Sequence, residues 1–538
     1  MRKVSPVDAV DDRAFVPNDC EVRTVTYRAC SLYAAMVLAL MLGSAFSLSA
    51  QSKPVPATAL KEDVNHRDPD GSTPLQWAVY DGKVTEIQRL LKAGANVSQA
   101  NNYGASPMSL AAEVGNAEIL KLLLDAGANA DSPNPEGQTA LMAVARTGNV
   151  AAAQLLIDRG ATIDAKEKWG GQTALMWASA RRHPEMMKLL IAKGADVNAR
   201  SINRDYQRHV TAEGRPKNLD TGGLTPLLYA ARENCHACVK VLLDNRADIN
   251  LPDPDGVSPL QVAIMNANWD LAKQLIVAGA DVNQWDMYGE APLYTAIGLR
   301  TKLDGGHASI DPQNETDGMT IIRMLLDHGA NTNMQLFFRP AGLSGKTVTR
   351  GSTPLIRAAT NADMDVVKLL LEHGADVNLQ MADRQTPTMA VLSGRANEKQ
   401  ALELIRLFHQ AGEAVNVIAL VNHREETRGG TALHYAVRKR FKDVIKELAS
   451  YGIDMNAKDQ DGLTALDYTQ SRGFMPFMAL QTPKYNDIAT LLRELGATVE
   501  VAKNPVWPVL GPPQGVDADI WPIGEAKVHE PFYTHEKD

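Results

Sequence analysis

Aromatic side chains make up only 5% of this 538-residue chain. An aromatic in an exposed position is therefore unusually informative. Four cysteines are too few to scaffold a chain of this length by disulfides. A basic surplus is also missing. Fifty-five Lys and Arg face 63 Asp and Glu, for a formal charge of −8. That argues against a general nucleic-acid binder, because phosphate recognition needs net or local positive charge. Catalytic signatures are absent too: there is no HExxH, no GxSxG and no GxGxxG after a strand. The string AGLSGKT (341–347) has Pro340 where a phosphate loop needs its first Gly. The twelve His are scattered without metal-ligand spacing. No catalytic residue, metal or cofactor is expected.

One long uncharged run is present, Ser31–Ala50 (SLYAAMVLALMLGSAFSLSA). It follows Arg23 and Arg28 and ends in small residues, in the order of a secretory signal. Residues 1–50 are read as a signal peptide cleaved after Ala50, which implies a periplasmic or secreted protein. The alternative is a retained inner-membrane anchor facing the periplasm, since about twenty apolar residues just span a bilayer. Cys20 and Cys30 leave with a cleaved signal, and Cys235 and Cys238 remain.

The rest of the chain repeats itself. The Thr of each Thr-Pro-Leu unit, or its Ser or Ala replacement, falls at 73, 106, 139, 173, 225, 258, 291, 353, 386, 431 and 464. The commonest step is 33. Each unit carries its own physical logic. Thr225 can cap a helix N-terminus, and Pro226 suits the first helical position. Leu227, Ala230 and Ala231 then share one helix face. A second helix brings Leu242 and Leu243 inward. A Gly closes most units where a helix ends left-handed; Arg246 holds that position in the fifth unit, where Asn245 is the candidate for the strained conformation.

With this period and with TPLQWA (73–78), TPLLYA (225–230), TALHYA (431–436), KLLLDAGANA (121–130) and KLLLEHGADVN (368–378), the chain resembles an ankyrin-repeat protein from about residue 60 to 497. The resemblance implies an all-α solenoid of antiparallel helix pairs with projecting β-hairpin-like fingers, stacked as a curved rod. Residues 51–65 form a linker and degenerate cap, 66–198 repeats 1–4, 199–221 a finger insertion, and 222–380 repeats 5–8 with insertions at 299–318 and 334–350. Repeats 9–11 cover 381–497, and a Pro- and Trp-containing tail covers 498–538. In the ninth unit Thr388 replaces the core Leu, Arg384 the finger Gly, and Phe408-His409 the Leu pair. A weak interface or hinge is expected across 380–430.

The resemblance also implies a non-catalytic protein-binding scaffold whose partner, a protein, docks on finger tips and inner helices. By position the contact residues are Tyr80, Asp81, Tyr103, Glu113, Arg146, Trp169, Arg181, Arg232, Glu233, Met265, Tyr288, Arg350, Arg438 and Lys439. Tyr, Trp and Arg dominate binding hot spots, and this set suits an acidic, extended segment. No nucleic-acid partner is expected, and membrane contact only through an uncleaved N-terminal segment. Cys235-His236-Ala237-Cys238 places one Cys at a helix N-cap and the other three residues on, which suits packing or a static disulfide. The alternative is a scaffold carrying redox or enzymatic chemistry in that pair or in the insertions.

Overall fold

The computed structural model describes residues 63–204, 221–303, 314–336, 351–420, 429–460, 462–469 and 486–498. The expectations for residues 1–50, for most of the insertions and for all but the first residue of the tail lie outside them. The chain divides into two compact units: Met1–Ala330 with Pro340–Ser344, and Asn331–Arg339 with Gly345–Asp538.

Unit 1 alternates inner and outer helices. The inner set is α1 (Pro74–Tyr80), α3 (Pro107–Val114), α5 (Ala140–Thr147), α7 (Ala174–Ala180), α9 (Pro226–Arg232), α11 (Pro259–Met265) and α13 (Pro292–Leu303). The outer set is α2 (Val84–Lys92), α4 (Ala117–Asp125), α6 (Val150–Asp158), α8 (Pro184–Ala192), α10 (His236–Asp244), α12 (Trp269–Val277) and α14 (Gly318–Asp327). Each inner helix packs on the next inner helix and on its own outer partner. Unit 2 repeats the plan with inner helices α15 (Pro354–Thr360), α17 (Pro387–Ser393), α19 (Ala432–Lys439) and α21 (Ala465–Tyr468). Its outer helices are α16 (Met364–Glu372), α18 (Glu398–Gln410), α20 (Lys442–Ser450) and α22 (Asn486–Glu494). Among the described residues the strands are β1 (Asn203–Arg204) and β2 (Thr221–Gly222), paired antiparallel at the base of the first insertion.

The local chemistry follows the sequence. Thr225 Oγ1 accepts the Leu228 amide at 3.2 Å, and Ser258, Thr353 and Thr386 cap their helices alike. Leu75, Leu141, Leu175, Leu227, Leu260 and Leu355 are at most 1% exposed. The fifth unit ends differently from expectation. Arg246 itself adopts the left-handed conformation (φ 65°), while Asn245 stays at φ −108°. Asn245 instead spends its side chain on a hydrogen bond to the Val241 carbonyl at 2.7 Å, so it stays with the helix and the next residue makes the turn.

The ninth unit is no gap in its stack. Helix α17 packs on both α15 and α19, and the division of the chain falls at 330/331 instead, in the finger that carries the 334–350 insertion. The Leu-to-Thr388 change is answered inside the unit by a hydrogen-bonded carboxyl, Glu413.

A second device links neighbouring repeats. The last Asn of one repeat reaches the next: Asn378 donates to the Gly412 carbonyl at 3.1 Å and accepts the Ala414 amide at 2.9 Å. Asn333 and Asn416 make the same pair of bonds in unit 2. In unit 1, Asp131 and Asp164 stand in the Asn position and only accept. Asn378→Ala should therefore destabilise unit 2 by about 1 kcal/mol, because both bonds are solvent-exposed. Asn378→Asp should lose roughly half of that. Urea titration of both variants checks it, and an Asp variant no better than Ala would remove the accepting bond from the account.

Candidate binding face of unit 1

Successive fingers of unit 1 are tied by backbone hydrogen bonds: Asn102 N–H to Asp70 O (2.9 Å), Lys168 to Glu136 (2.8 Å), Ile202 to Gly170 (2.6 Å) and Met287 to Asp255 (2.8 Å). Pro135 and Pro254 occupy the same donor register and have no N–H to give. They fit because glycines face them. A Cβ on Gly104 (φ 77°) would stand 2.2 Å from Pro135 Cγ, and one on Gly223 (φ 64°) 2.4 Å from Pro254 Cγ.

The finger tips are fixed from within. Buried Glu167 accepts the amides of Trp169 (2.5 Å), Gly170 (2.6 Å) and Gln172 (3.0 Å). Asn101 accepts those of Tyr103 (3.1 Å) and Ala105 (2.9 Å). These turns hold up Trp169 at 63% exposure and Tyr103 at 67%. Ile202, at the base of the first insertion, joins them, 42% exposed.

The inner helices supply the floor. Trp77 and Tyr80 are partly exposed and meet edge to face, with centroids 6.2 Å apart; the Trp77 indole N–H donates to Asp68 at 2.7 Å. Asp81 pairs with Lys83, and Glu113 with Arg146. Arg232 lies 5.1 Å from the Tyr229 ring centroid and 3.2 Å from Glu233. The Tyr229 hydroxyl takes a bond from Gln172 at 2.6 Å, which joins the fourth finger to the fifth inner helix. Arg181 is half-buried, and its side chain makes no ion pair or hydrogen bond among the described residues.

The remaining sequence-derived positions separate. Met265 is half-buried. Tyr288 is a correction: it is 2% exposed and cannot present a free ring. Its turn matches that of Tyr103, with Asp286 accepting the Tyr288 amide as Asn101 accepts that of Tyr103. What packs around the ring decides its burial, and turn register carries no such information. Arg350 lies outside the described residues. Arg438 and Lys439 are exposed in unit 2, with Lys439 donating to the Gly394 carbonyl at 2.9 Å. Sequence reasoning missed Trp77 and Ile202. Trp77 stands in the register of Tyr229, which is 4% exposed; its position in the first repeat was the available signal.

Cys235 and Cys238 form a disulfide. Cys235 caps α10, its sulfur accepting the Cys238 amide at 3.2 Å. The residues are 4% and 0% exposed, which keeps an attacking thiolate away from both sulfurs. Among the described residues no group of His, Cys, Asp or Glu is arranged to hold a metal, and no helix is long and apolar enough to cross a membrane.

Family profiles agree with this architecture. The profile "Ankyrin repeats (3 copies)" matches residues 27–134, 109–201, 207–286, 227–302 and 392–501, and "Ankyrin repeat" matches 350–382. A curated mouse (Mus musculus) relative, "B-cell lymphoma 3 protein homolog", is 28% identical over 160 residues, which is 29% of this chain and 32% of that protein. The chain thus spans about a third of the relative's length. With repeated helix pairs in both units and profile matches over more than half of its residues, the chain belongs to the ankyrin-repeat family, whose repeats serve as protein–protein interaction scaffolds.

Proposed function

We propose that this protein is a non-catalytic scaffold that holds an extended, acidic protein segment on the finger and inner-helix face of its first five repeats, in the cell envelope. One observation carries the reading. Of the nine large hydrophobic side chains exposed among the described residues, six lie on fingers or inner helices between Trp77 and Ile202, and Tyr103 and Trp169 are the most exposed of the aromatics. Fixed tips lower the ordering entropy lost on binding. Arg181 on the same face, whose side chain makes no ion pair or hydrogen bond among the described residues, favours an acidic partner over a basic one. The formal charge of −8 supports a protein partner over a nucleic acid.

The envelope location rests on the Ser31–Ala50 run and on the disulfide, since such bonds persist in oxidising compartments. The mass of the protein purified from its native cells decides between cleavage after Ala50 and a retained anchor.

A photo-crosslinking residue at 103 or 169 should trap a partner in envelope fractions, while one at Lys121 on outer helix α4 should trap none. Against that captured partner, Trp169→Ala and Tyr103→Ala should each weaken binding roughly thirty-fold, about 2 kcal/mol. Equal capture from position 121, or two neutral substitutions, would remove this face as the binding surface.

A further inference from the structure

In ten of the eleven repeats the residue after the closing Gly (Arg246 in the fifth) is Ala or Ile, and the core position two after the capping Thr is Leu or Met. The ninth repeat alone replaces both, with Glu413 and Thr388. The two replacements are bonded to each other. Glu413 accepts the Thr388 amide at 2.9 Å and the Thr388 hydroxyl. Glu413 is 8% exposed and Thr388 5%. Beside them lies a cavity lined by Thr386, Ile405, His409, Leu448 and Tyr451, with room for about one water molecule.

The elements around this carboxyl offer it no Lys or Arg. Helix α17 and its cap offer the hydroxyls of Thr388 and Thr386, and α19 offers Ala432. His409 from α18 and Tyr451 from the end of α20 stack with centroids 3.6 Å apart. Tyr451 donates to Glu447 at 2.6 Å, and Arg406 meets Glu447 through two bonds of 2.8 Å. Arg406 is therefore matched to Glu447 and is not available to Glu413. Its bonds hold the Glu447 carboxyl at about 2, and burial with the Glu447 bond pushes the Tyr451 hydroxyl to about 12. Besides Tyr451, the other ionisable side chain lining the cavity with Glu413 is His409.

We propose that Glu413 is a proton-operated latch in unit 2, closing the ninth repeat on the tenth when its carboxyl is neutral and loosening α18 from α20 when it ionises. A neutral carboxyl is satisfied by the Thr388 amide and the Thr388 and Thr386 hydroxyls. An ionised one is a buried charge without a counter-charge, which is strongly destabilising and draws in water. Burial raises the folded-state pKa of Glu413 above its ordinary value. Its contribution to stability is thus complete below the unfolded value of about 4.3 and is lost as pH rises through the folded value.

The test is amide exchange of the full chain across residues 386–451 between pH 4.5 and 8, corrected for intrinsic exchange rates. Local opening should increase with pH above about 4.3, by up to about tenfold per unit until the raised folded value is reached, and level off beyond it. Glu413→Gln should abolish the increase, and His409→Gln should leave it. Should Glu413→Gln fail to fold, the double variant Thr388→Leu with Glu413→Ala, which restores the pair used elsewhere in the array, should give the same flat profile. A flat profile in the unsubstituted protein, persistence of the increase without Glu413, or its loss in His409→Gln would each overturn the latch.

Discussion

Replacing Trp269 by Ala should destabilise unit 1 by about 3–5 kcal/mol, the range for truncating a large buried aromatic. Trp269 is 2% exposed, yet it stands at the first position of an outer helix. The corresponding residues are Val84, Ala117, Val150, Pro184 and His236, all at least partly exposed. The next outer helix makes the difference. Helix α14 begins at Gly318, where a Cβ would come within 3.3 Å of Trp269 Cζ2, so the indole fills space that the missing side chain leaves. Next to it, Asp270 accepts the amides of Glu315 (2.8 Å) and Thr316 (2.9 Å), and Asn314 donates to the Ala267 carbonyl at 2.9 Å. Trp269 and Asp270 together fasten the C-terminal end of the 299–318 insertion. The truncation should lower the urea midpoint of unit 1 and raise exchange in α12 and α14, while leaving unit 2 protected. A loss below about 1 kcal/mol would mean that the indole is replaceable by water and that this packing account is wrong. Gly318→Ala should cost far less, because the indole need only move by a few tenths of an ångström.

That anchor was not legible in the sequence. The 33-residue period discloses the helices, caps and buried Leu positions directly, since each unit solves its own capping and packing problem with residues close in sequence. Trp269 and Gly318 are brought together across an insertion that breaks the period, and no local pattern joins them. The site divides along the same line. Tyr103 and Trp169 stand exposed at the tips, where the register places a side chain outside the hydrogen-bonded turn. Tyr288 shares that register and is buried, because its exposure depends on what comes from elsewhere in the chain. The ninth unit was legible only in part. Thr388 is visible in the sequence as a loss in the core, but nothing near it marks Glu413, 25 residues on, as the group that answers it.

The imidazole of His434 should be worth about 2–4 kcal/mol to unit 2, against almost nothing for its exchange to Gln. The ring satisfies two buried backbone groups, each costing about 1–3 kcal/mol when orphaned. Nδ1 accepts the Thr431 amide at 3.1 Å, and Nε2 lies 3.1 Å from the Leu463 carbonyl of the next repeat. Because Nδ1 accepts, Nε2 carries the proton and donates. Gln76 does the same work in the first repeat: its Oε1 accepts the Thr73 amide at 2.7 Å, and its Nε2 donates to the Ala105 carbonyl at 2.6 Å. His434→Gln should therefore keep both bonds and His434→Ala neither. Burial holds the His434 pKa below its ordinary value, so as pH falls below about 6.5 the unfolded chain takes up the proton first. Its stabilising contribution is complete above that pH and is lost as pH falls toward the folded value. This is opposite in sign to Glu413, which costs stability as pH rises. The two effects oppose each other between about pH 4.3 and 6.5, with His434 alone acting below that window and Glu413 alone above it. His434→Gln should extend stability on the acid side and Glu413→Gln on the alkaline side. Urea titrations of the two variants at pH 5 and pH 8 separate the effects. An unchanged acid-side loss in His434→Gln would show that the proton binds elsewhere.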